Sequence, residues 1–248
     1  MYTFEYGIFH TGARVKRFFI LKTTITIVAW AIAMSSGTST SQAAVPITST
    51  DRTIVLVFGD SISAAYGLRP EQGWVAMLAD KLKREGFSAQ VVNASISGET
   101  TAGGLARLPR ALALHHPSIV VFELGANDGL RALPVEEMRQ HLNQLVDLAV
   151  GAGAKVLLLG MRMPPNYGPQ YTEQFHAAYA DLAQKRHVAW VPFFLEGVAL
   201  RPELIQEDGL HPNAQGEPIL LENIWPVLKP LLSKGPDRTL APKPLSQK

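Results

Sequence analysis

The sequence predicts an α/β fold, in which helices cover both faces of a five-stranded parallel sheet to give three α/β/α layers. From Thr53 onward, short apolar segments alternate with segments of helical periodicity. The short segments are almost continuously apolar, which is typical of parallel strands that are buried on both faces. Five strands are too few for a (β/α)₈ barrel, and the modest helices after the first two strands favour a flavodoxin-like strand order.

Each predicted strand is a short run of apolar or β-branched residues. In chain order the five runs are 54–58, 90–94, 119–124, 155–159 and 188–191. The segments between them carry apolar residues at helical spacing, such as Trp74, Leu78 and Leu82 in the first. We expect one helix that starts near 74 and stops at Gly86, one that ends before Pro117, one from Pro134 to Gly151, and two more over 171–186 and 214–232.

Composition and charge exclude several classes of protein. The 248 residues include no cysteine, which excludes disulfides, thiolate metal sites and a cysteine nucleophile. The formal net charge of +2 conceals an uneven distribution, because basic residues are concentrated near both ends. The central body is mildly acidic, and it has no basic stripe that would favour nucleic acid as a partner.

The first 43 residues have the three parts of a secretory signal peptide. A basic region extends to Lys22, an apolar run covers 23–34, and small or polar residues follow up to Ala44. The apolar run is short for a membrane span, which needs about 20 residues. We expect cleavage near Ala43 and a periplasmic or secreted protein. An uncleaved membrane anchor is the alternative, because residues 18–21 can extend the run.

The folded domain is expected to cover residues 53–232. Residues 44–52 are interpreted as a short linker. Residues 233–248 are rich in proline, lysine and serine, which favours a disordered basic tail.

Polar clusters follow the predicted strands at their carboxyl ends, where ligands bind in open parallel sheets. Three clusters come directly after strands, at 59–61, 97–98 and 125–128, and a fourth at 208–212 precedes the last helix. Together they bring a serine, backbone N–H groups, an amide, an aspartate and a histidine to one edge of the sheet. Acyl transfer needs this set of groups.

The clusters can be assigned catalytic roles. Ser61 is the candidate nucleophile, since it follows a Gly-Asp pair at the end of the first strand. His211 is the candidate base, and Asp208, three residues earlier, can hold the imidazole in one tautomer. The backbone N–H groups of Ser61 and Gly98 and the side-chain amide of Asn127 are candidate donors to an oxyanion.

Each cluster also has a purely structural interpretation. Ser61 can be a helix N-cap, 208–209 is a common turn pair, and 127–129 can form a turn and a helix cap. Asp60 is expected to point away from the serine and to hold the turn. The G-x-S-x-G elbow, the P-loop and the H-E-x-x-H motif are absent from the sequence.

In combination, four motifs resemble the four sequence blocks of the SGNH (GDSL-type) hydrolases. They are G-D-S-x-S at 59–63, the glycine at 98, G-x-N-D at 125–128 and D-x-x-H at 208–211. The segments NASISGET, GLARLP, ELGANDGLR, MRMPPNYG and DGLHPN are similar to the bacterial periplasmic thioesterase, lysophospholipase and arylesterase branch of that family. The resemblance covers roughly residues 53–232.

The resemblance implies a three-layer, flavodoxin-like SGNH hydrolase fold in which Ser61, Asp208 and His211 are catalytic. It assigns the oxyanion hole to Ser61, Gly98 and Asn127. It also implies activity on thioesters, aryl esters and lysophospholipids, with neither a metal nor another cofactor.

The loop 161–171 after the fourth strand is a candidate wall for the substrate. Met163, Tyr167 and Tyr171 offer adaptable apolar and aromatic surface beside the edge that carries the nucleophile. The resembled thioesterases have a substrate-responsive loop at the matching segment. The alternative is a surface loop that only caps the core.

Three functions from two classes are consistent with these residues. The leading hypothesis is an exported serine esterase that hydrolyses acyl esters and thioesters through an acyl-enzyme on Ser61. A second is a carbohydrate or peptidoglycan O-acetyl esterase of the same superfamily. A third is a noncatalytic binding protein, which loss of Ser61, Asn127 or His211 would indicate, but all three residues are present.

The expected partner is a small-molecule acyl ester or lipid substrate. We expect no nucleic acid and no obligatory protein partner. The expected state is a monomer or a weak homo-oligomer.

Overall fold

Five parallel strands form one sheet in the computed structural model, which describes residues 52–232. The strands are β1 (Thr53–Gly59), β2 (Ala89–Asn93), β3 (Ile119–Glu123), β4 (Lys155–Leu159) and β5 (Ala189–Val191). Their order across the sheet is β2-β1-β3-β4-β5, and every neighbouring pair is parallel. The predicted α/β fold with a flavodoxin-like strand order is therefore confirmed.

Six α-helices accompany the strands within the described residues. They are α1 (Trp74–Arg84), α2 (Thr101–His115), α3 (Ala126–Leu130), α4 (Val135–Gly151), α5 (Pro169–Arg186) and α6 (Glu217–Leu228). Short 3₁₀ turns lie at Pro70–Gln72, Pro165–Tyr167, Pro202–Leu204 and Lys229–Leu231. Helices α1 and α6 contact each other, and α4 contacts both α2 and α5. Right-handed crossovers place these two groups on opposite faces of the sheet, which gives three layers.

The observed strands agree with the predicted ones to within one residue at each end, whereas three helices differ from the prediction. The short helix α3 was not expected, and it begins after Gly125, whose φ of 113° turns the chain sharply. Helix α5 starts at Pro169, because a proline suits the first turn of a helix. Helix α6 is shorter than 214–232: residues 213–216 form a turn in which Asn213 Oδ1 accepts the N–H of residue 215 at 2.9 Å.

The predicted signal over 1–43 and the predicted tail over 233–248 lie outside the described residues, as does almost all of the linker. The domain limits at 53 and 232 therefore stay a prediction. In the part of the chain that is described, no helix has the length and apolarity that crossing a membrane requires.

The two central strands bring the ends of two polar loops together. All of β3 and residues 55–59 of β1 are buried, because helices cover both faces of the sheet here. The register pairs Gly59, the last residue of β1, with Glu123, the last residue of β3. The segments that follow the two strands therefore leave the sheet side by side.

A buried carboxyl group joins the two helices on one face. Glu217, the first residue of α6, is 1% exposed, and its Oε2 accepts the backbone N–H of Trp74 at 2.7 Å. Trp74 is the first residue of α1, so this carboxyl group faces the positive end of that helix. Burial raises the pKa of Glu217 to about 7, and the N–H of Trp74 opposes part of the shift.

Glu217→Gln is expected to raise the free energy of unfolding at pH 8 and to change this free energy much less at pH 5. Because the folded-state pKa is raised, the ionised carboxylate costs stability as pH rises from about 4.5 through about 7, and below that window the cost is absent. Glutamine keeps an acceptor for the N–H of Trp74 and removes the charge. Urea unfolding at both pH values should show a gain of about 1–3 kcal/mol at pH 8. A loss of stability at pH 8 would contradict this account of Glu217.

Candidate active site

The turn after β1 presents Ser61 at the carboxyl edge of the sheet. The side chain of Asp60 holds this turn, because its Oδ1 accepts the N–H of Ile62 at 3.1 Å. The N–H of Asp60 donates to Glu123 Oε2 at 3.2 Å and ties the turn to the end of β3. Ser61 itself is half-buried and lines a cavity.

His211 comes from the loop before α6, in a turn built around Asp208. The Oδ1 atom of Asp208 accepts the N–H groups of Leu210 at 2.9 Å and of His211 at 3.0 Å. Gly209 between them has a φ of 72°, in the left-handed region that glycine enters without strain. The turn that the sequence suggested at 208–209 is therefore present, and the same turn orients the imidazole.

Ser61, His211 and Asp208 form a continuous chain of hydrogen bonds. Ser61 Oγ lies 2.8 Å from His211 Nε2, and His211 Nδ1 lies 2.6 Å from Asp208 Oδ2. The backbone N–H of His211 is the largest of several groups that lower the pKa of Asp208 to about 2. Asp208 is therefore ionised at neutral pH and accepts the proton of Nδ1, which leaves Nε2 free to take the proton of the serine.

Three candidate oxyanion donors line the same cavity: the N–H of Ser61, the N–H of Gly98 and the side chain of Asn127. Within residues 52–232, neither of the two N–H groups has an acceptor. Gly98 has a φ of 77°, and its carbonyl accepts Nη2–H of Arg131 at 3.0 Å. Asn127 lies in α3, and its Nδ2 donates to Asp60 Oδ2 at 3.0 Å. This geometry leaves both N–H groups available to a ligand.

Asp128 connects the loop that carries Gly98 with helix α3, which carries Asn127. Its carboxylate accepts the N–H of Thr101 at 2.9 Å and the Oγ1–H of the same residue at 2.5 Å. Thr101 is the first residue of α2, so Asp128 satisfies one of the free N–H groups at that helix end. The helix-cap interpretation of 127–129 is thus correct for Asp128, and the cap also fixes the loop of Gly98 against α3.

A cavity of about 310 Å³ extends from Ser61 along the carboxyl edge of the sheet. Ser61, Asn127 and His211 lie at its polar end. The rest of its wall is largely apolar and includes Leu130, Met161, Met163, Phe193, Leu195 and Ile205. A pocket with a few polar groups at one end of an apolar wall fits an apolar chain attached to a carbonyl group at the serine.

The three candidate substrate residues of the loop 161–171 lie in different positions. Among the described residues, Met163 lines the cavity, whereas Tyr167 and Tyr171 are not part of its wall. The hydroxyl of Tyr167 donates to the carbonyl of Leu130 at 3.0 Å, and that of Tyr171 donates to the carbonyl of Leu133 at 2.8 Å. The two tyrosines therefore support the segment that contributes Leu130 to the wall.

Sequence reasoning did not identify Glu123, Tyr66 or the wall that follows β5. Glu123 is an acidic residue at the end of an apolar strand, and this contrast was a usable signal. The ring of Tyr66 lies 4.7 Å from the imidazole of His211, between ring centres. Phe193 and Leu195 had no signal of their own, because apolar residues after a strand are indistinguishable from core residues in the sequence.

Comparison with known proteins identifies one family and several proteins that are similar to this chain. Residues 57–218 match the family described as the GDSL-like Lipase/Acylhydrolase family. Esterase TesA of Pseudomonas aeruginosa is 55% identical over 178 residues, which are 72% of this chain and 89% of that protein. Thioesterase 1/protease 1/lysophospholipase L1 of Escherichia coli is 42% identical over 179 residues, or 72% of this chain and 85% of that protein.

Solved structures are similar over the same part of the chain. The crystal structure of TesA has a TM-score of 0.71 and 54% identity, and the match covers 73% of this chain and all of that one. The psychrotrophic esterase EstA from Pseudoalteromonas, inhibited by monoethylphosphonate, has a TM-score of 0.69 and 39% identity. That match covers 72% of this chain and 97% of the other.

Asn127→Ala is expected to lower kcat for p-nitrophenyl esters by about 10²–10³, the usual effect of losing one oxyanion donor. KM should change little, because charge on the oxygen develops mainly in the transition state. Asn143→Ala, at the part-buried contact of α4 with Arg186 and away from the cavity, is the control and should leave both constants unchanged. A raised KM with an unchanged kcat would show that Asn127 binds the substrate without stabilising an oxyanion.

Proposed function

The chain belongs to the GDSL-like lipase/acylhydrolase family and is an esterase of that family, and we propose that it works through a covalent acyl-enzyme on Ser61. The observation that carries this proposal is the hydrogen-bonded chain Ser61–His211–Asp208 at the polar end of an apolar cavity. The substrates proposed are acyl esters and thioesters with an apolar acyl chain.

Acylation begins when His211 Nε2 takes the proton of Ser61 and Oγ attacks the carbonyl carbon. The carbonyl oxygen becomes an oxyanion, which the N–H groups of Ser61 and Gly98 and the amide of Asn127 stabilise. Ionised Asp208 stabilises the imidazolium and keeps its orientation. The tetrahedral intermediate then collapses: the bond to the leaving group breaks, and His211 returns the proton to the departing alcohol or thiol.

Deacylation repeats these steps with water in place of the serine. His211 takes a proton from water, the hydroxide attacks the acyl carbon, and the same three donors hold the oxyanion. Collapse releases the carboxylic acid and returns the proton to Ser61 Oγ. No other reactant is required.

The shape of the cavity supports a preference for acyl chains over acetyl groups. Its wall away from the serine is mostly apolar and extends to loops that follow β4 and β5. An acetyl group reaches little of this surface, whereas each methylene of a longer chain that leaves water contributes about 0.8 kcal/mol. Similar proteins named arylesterase and lysophospholipase are consistent with ester substrates that carry apolar groups.

Export is part of the proposal. It is supported by the basic, apolar and small-residue segments within residues 1–43. An exported esterase would meet lysophospholipids or external esters, while acyl-CoA thioesters stay in the cytosol. The intact mass of secreted protein checks this, and recovery of the uncleaved chain in membranes would favour an anchor.

Ser61→Ala is expected to abolish ester turnover without changing the fold, because the side chain is at the surface of the cavity and, within residues 52–232, its hydroxyl has no hydrogen-bond partner besides His211. A fluorophosphonate probe should label the wild-type protein once, on the peptide that contains Ser61. Ser63→Ala, which changes a buried neighbouring hydroxyl, is the control that should still be labelled. Labelling that persists in the Ser61 variant would show that the nucleophile lies elsewhere.

Met163→Ala is expected to lower kcat/KM for an octanoyl ester about tenfold while leaving the acetyl ester nearly unchanged. The substitution removes apolar wall surface, and a loss of about 1.4 kcal/mol in chain contacts corresponds to that factor. Met77→Ala on α1, which does not line the cavity, is the control. Equal losses for both esters would show that Met163 supports the fold without contacting the chain.

A further inference from the structure

Two carboxyl groups lie buried directly beneath the candidate nucleophile, and the proposed reaction steps use neither of them. Asp60 is 1% exposed and Glu123 is fully buried. Asp60 directly follows β1, and Glu123 is the last residue of the neighbouring β3, where the register places it opposite Gly59. Unpaired buried carboxylates are costly, so the arrangement calls for a specific explanation.

The two oxygens of Glu123 have different surroundings. Its Oε2 accepts three hydrogen bonds: from the N–H of Asp60 at 3.2 Å, the N–H of Ser63 at 3.3 Å and the Oγ–H of Ser63 at 2.8 Å. Its Oε1 is buried, and no donor from the described residues reaches it. An oxygen that receives no hydrogen bond is satisfied when it carries a proton and donates that proton itself.

Asp60 is the neighbouring carboxylate that can accept such a proton, since its own N–H holds it against the Glu123 carboxyl group at 3.2 Å. Burial, followed by the negative charge of Asp60, raises the pKa of Glu123 well above its usual range. Burial also raises the pKa of Asp60, to about 6, although the N–H of Ile62 and the neighbouring Glu123 side chain oppose part of that shift. The Oε1 atom that receives no donor and the raised pKa of Glu123 together assign the proton of the pair to Glu123, which leaves Asp60 as its anionic neighbour.

Both oxygens of Asp60 are occupied by donors. Oδ1 accepts the N–H of Ile62 at 3.1 Å, and Oδ2 accepts Nδ2–H of Asn127 at 3.0 Å. An amide nitrogen has two hydrogens, so the bond to Asp60 uses one and leaves the other free to face the cavity. If the amide rotated by half a turn, its oxygen would face the oxyanion and repel it. An acceptor at Asp60 therefore selects the productive orientation.

We propose that Asp60 is a positioning residue that orients the Asn127 amide toward the oxyanion, and that Glu123 supports Asp60 as a neutral acid donating a hydrogen bond to it. This proposal rests on the proposed function, because it requires Asn127 to be an oxyanion donor. It adds that the donor depends on a buried carboxyl pair that does not touch the substrate's reacting atoms.

The pair Asp60 and Asn127 can be tested with a double-mutant cycle on the full chain. Asp60→Asn replaces one of the two acceptor oxygens with an NH₂ group, so either the bond from Ile62 or the bond from Asn127 must break. We expect kcat for an octanoyl ester to fall about 10–100-fold with little change in KM. In the Asn127→Ala background, the same substitution should cost less than about threefold, because the group that it orients is already absent. Losses that multiply in the double variant would overturn the positioning role.

Glu123 is tested by two substitutions of similar size. Glu123→Gln keeps an oxygen for the three donors and offers an N–H to Asp60, so it should retain kcat within about threefold. Glu123→Leu removes both functions and should lower kcat, with thermal unfolding used to confirm that the protein is folded. An equal loss in both variants would refute the neutral donor, since glutamine reproduces every hydrogen bond that a protonated glutamate makes here.

Failure of this proposal can be distinguished from failure of the proposed function. Suppose that the fluorophosphonate labels wild-type protein at Ser61 but the effects of the Asp60 and Asn127 substitutions on kcat are independent in the cycle. The acyl-enzyme mechanism is then supported, and the positioning role of Asp60 is refuted. If the wild-type protein is not labelled at Ser61, the proposed nucleophile is refuted, and the positioning role that depends on it is refuted as well.

Discussion

The parallel pairing of β1 with β3 is the constraint on which the site depends. It places Gly59 opposite Glu123, so that the nucleophile turn and the short helix α3 start side by side. Glu123 then binds the turn through the N–H of Asp60, and Asp60 binds the helix through Asn127. A shift of register by one residue would turn Glu123 to the opposite face and break these connections.

Carboxyl groups serve this site in two different environments. Asp208 lies in a partly exposed loop, where backbone N–H groups lower its pKa and keep it ionised beside His211. Asp60 and Glu123 lie in the interior, where burial raises the pKa of both. In the proposed mechanism the exposed carboxylate stabilises a charge that appears during the reaction, whereas the proposed role of the buried pair is to hold the Asn127 amide in one orientation.

Local patterns in the sequence were sufficient for the fold and for the groups at the sheet edge, because strand composition and the polar residue after each strand are local properties. Longer connections were not accessible. The hydroxyl of Tyr167 finds its acceptor 37 residues away, and Asn127 finds Asp60 at a separation of 67. Sequence periodicity does not indicate such distant pairs. The sequence could therefore suggest Tyr167 as a wall residue, but it could not show that its hydroxyl donates to the carbonyl of Leu130.

If the acyl group passes through Ser61, a covalent intermediate can be trapped on that residue. The purified protein would be mixed with p-nitrophenyl octanoate, quenched in acid within the first turnover, digested and mapped by mass spectrometry. An octanoyl adduct on the peptide that contains Ser61, formed as fast as p-nitrophenol is released, is the result expected from an acyl-enzyme. Octanoic acid that appears at the rate of p-nitrophenol, with no adduct or with an adduct on another residue, would contradict it.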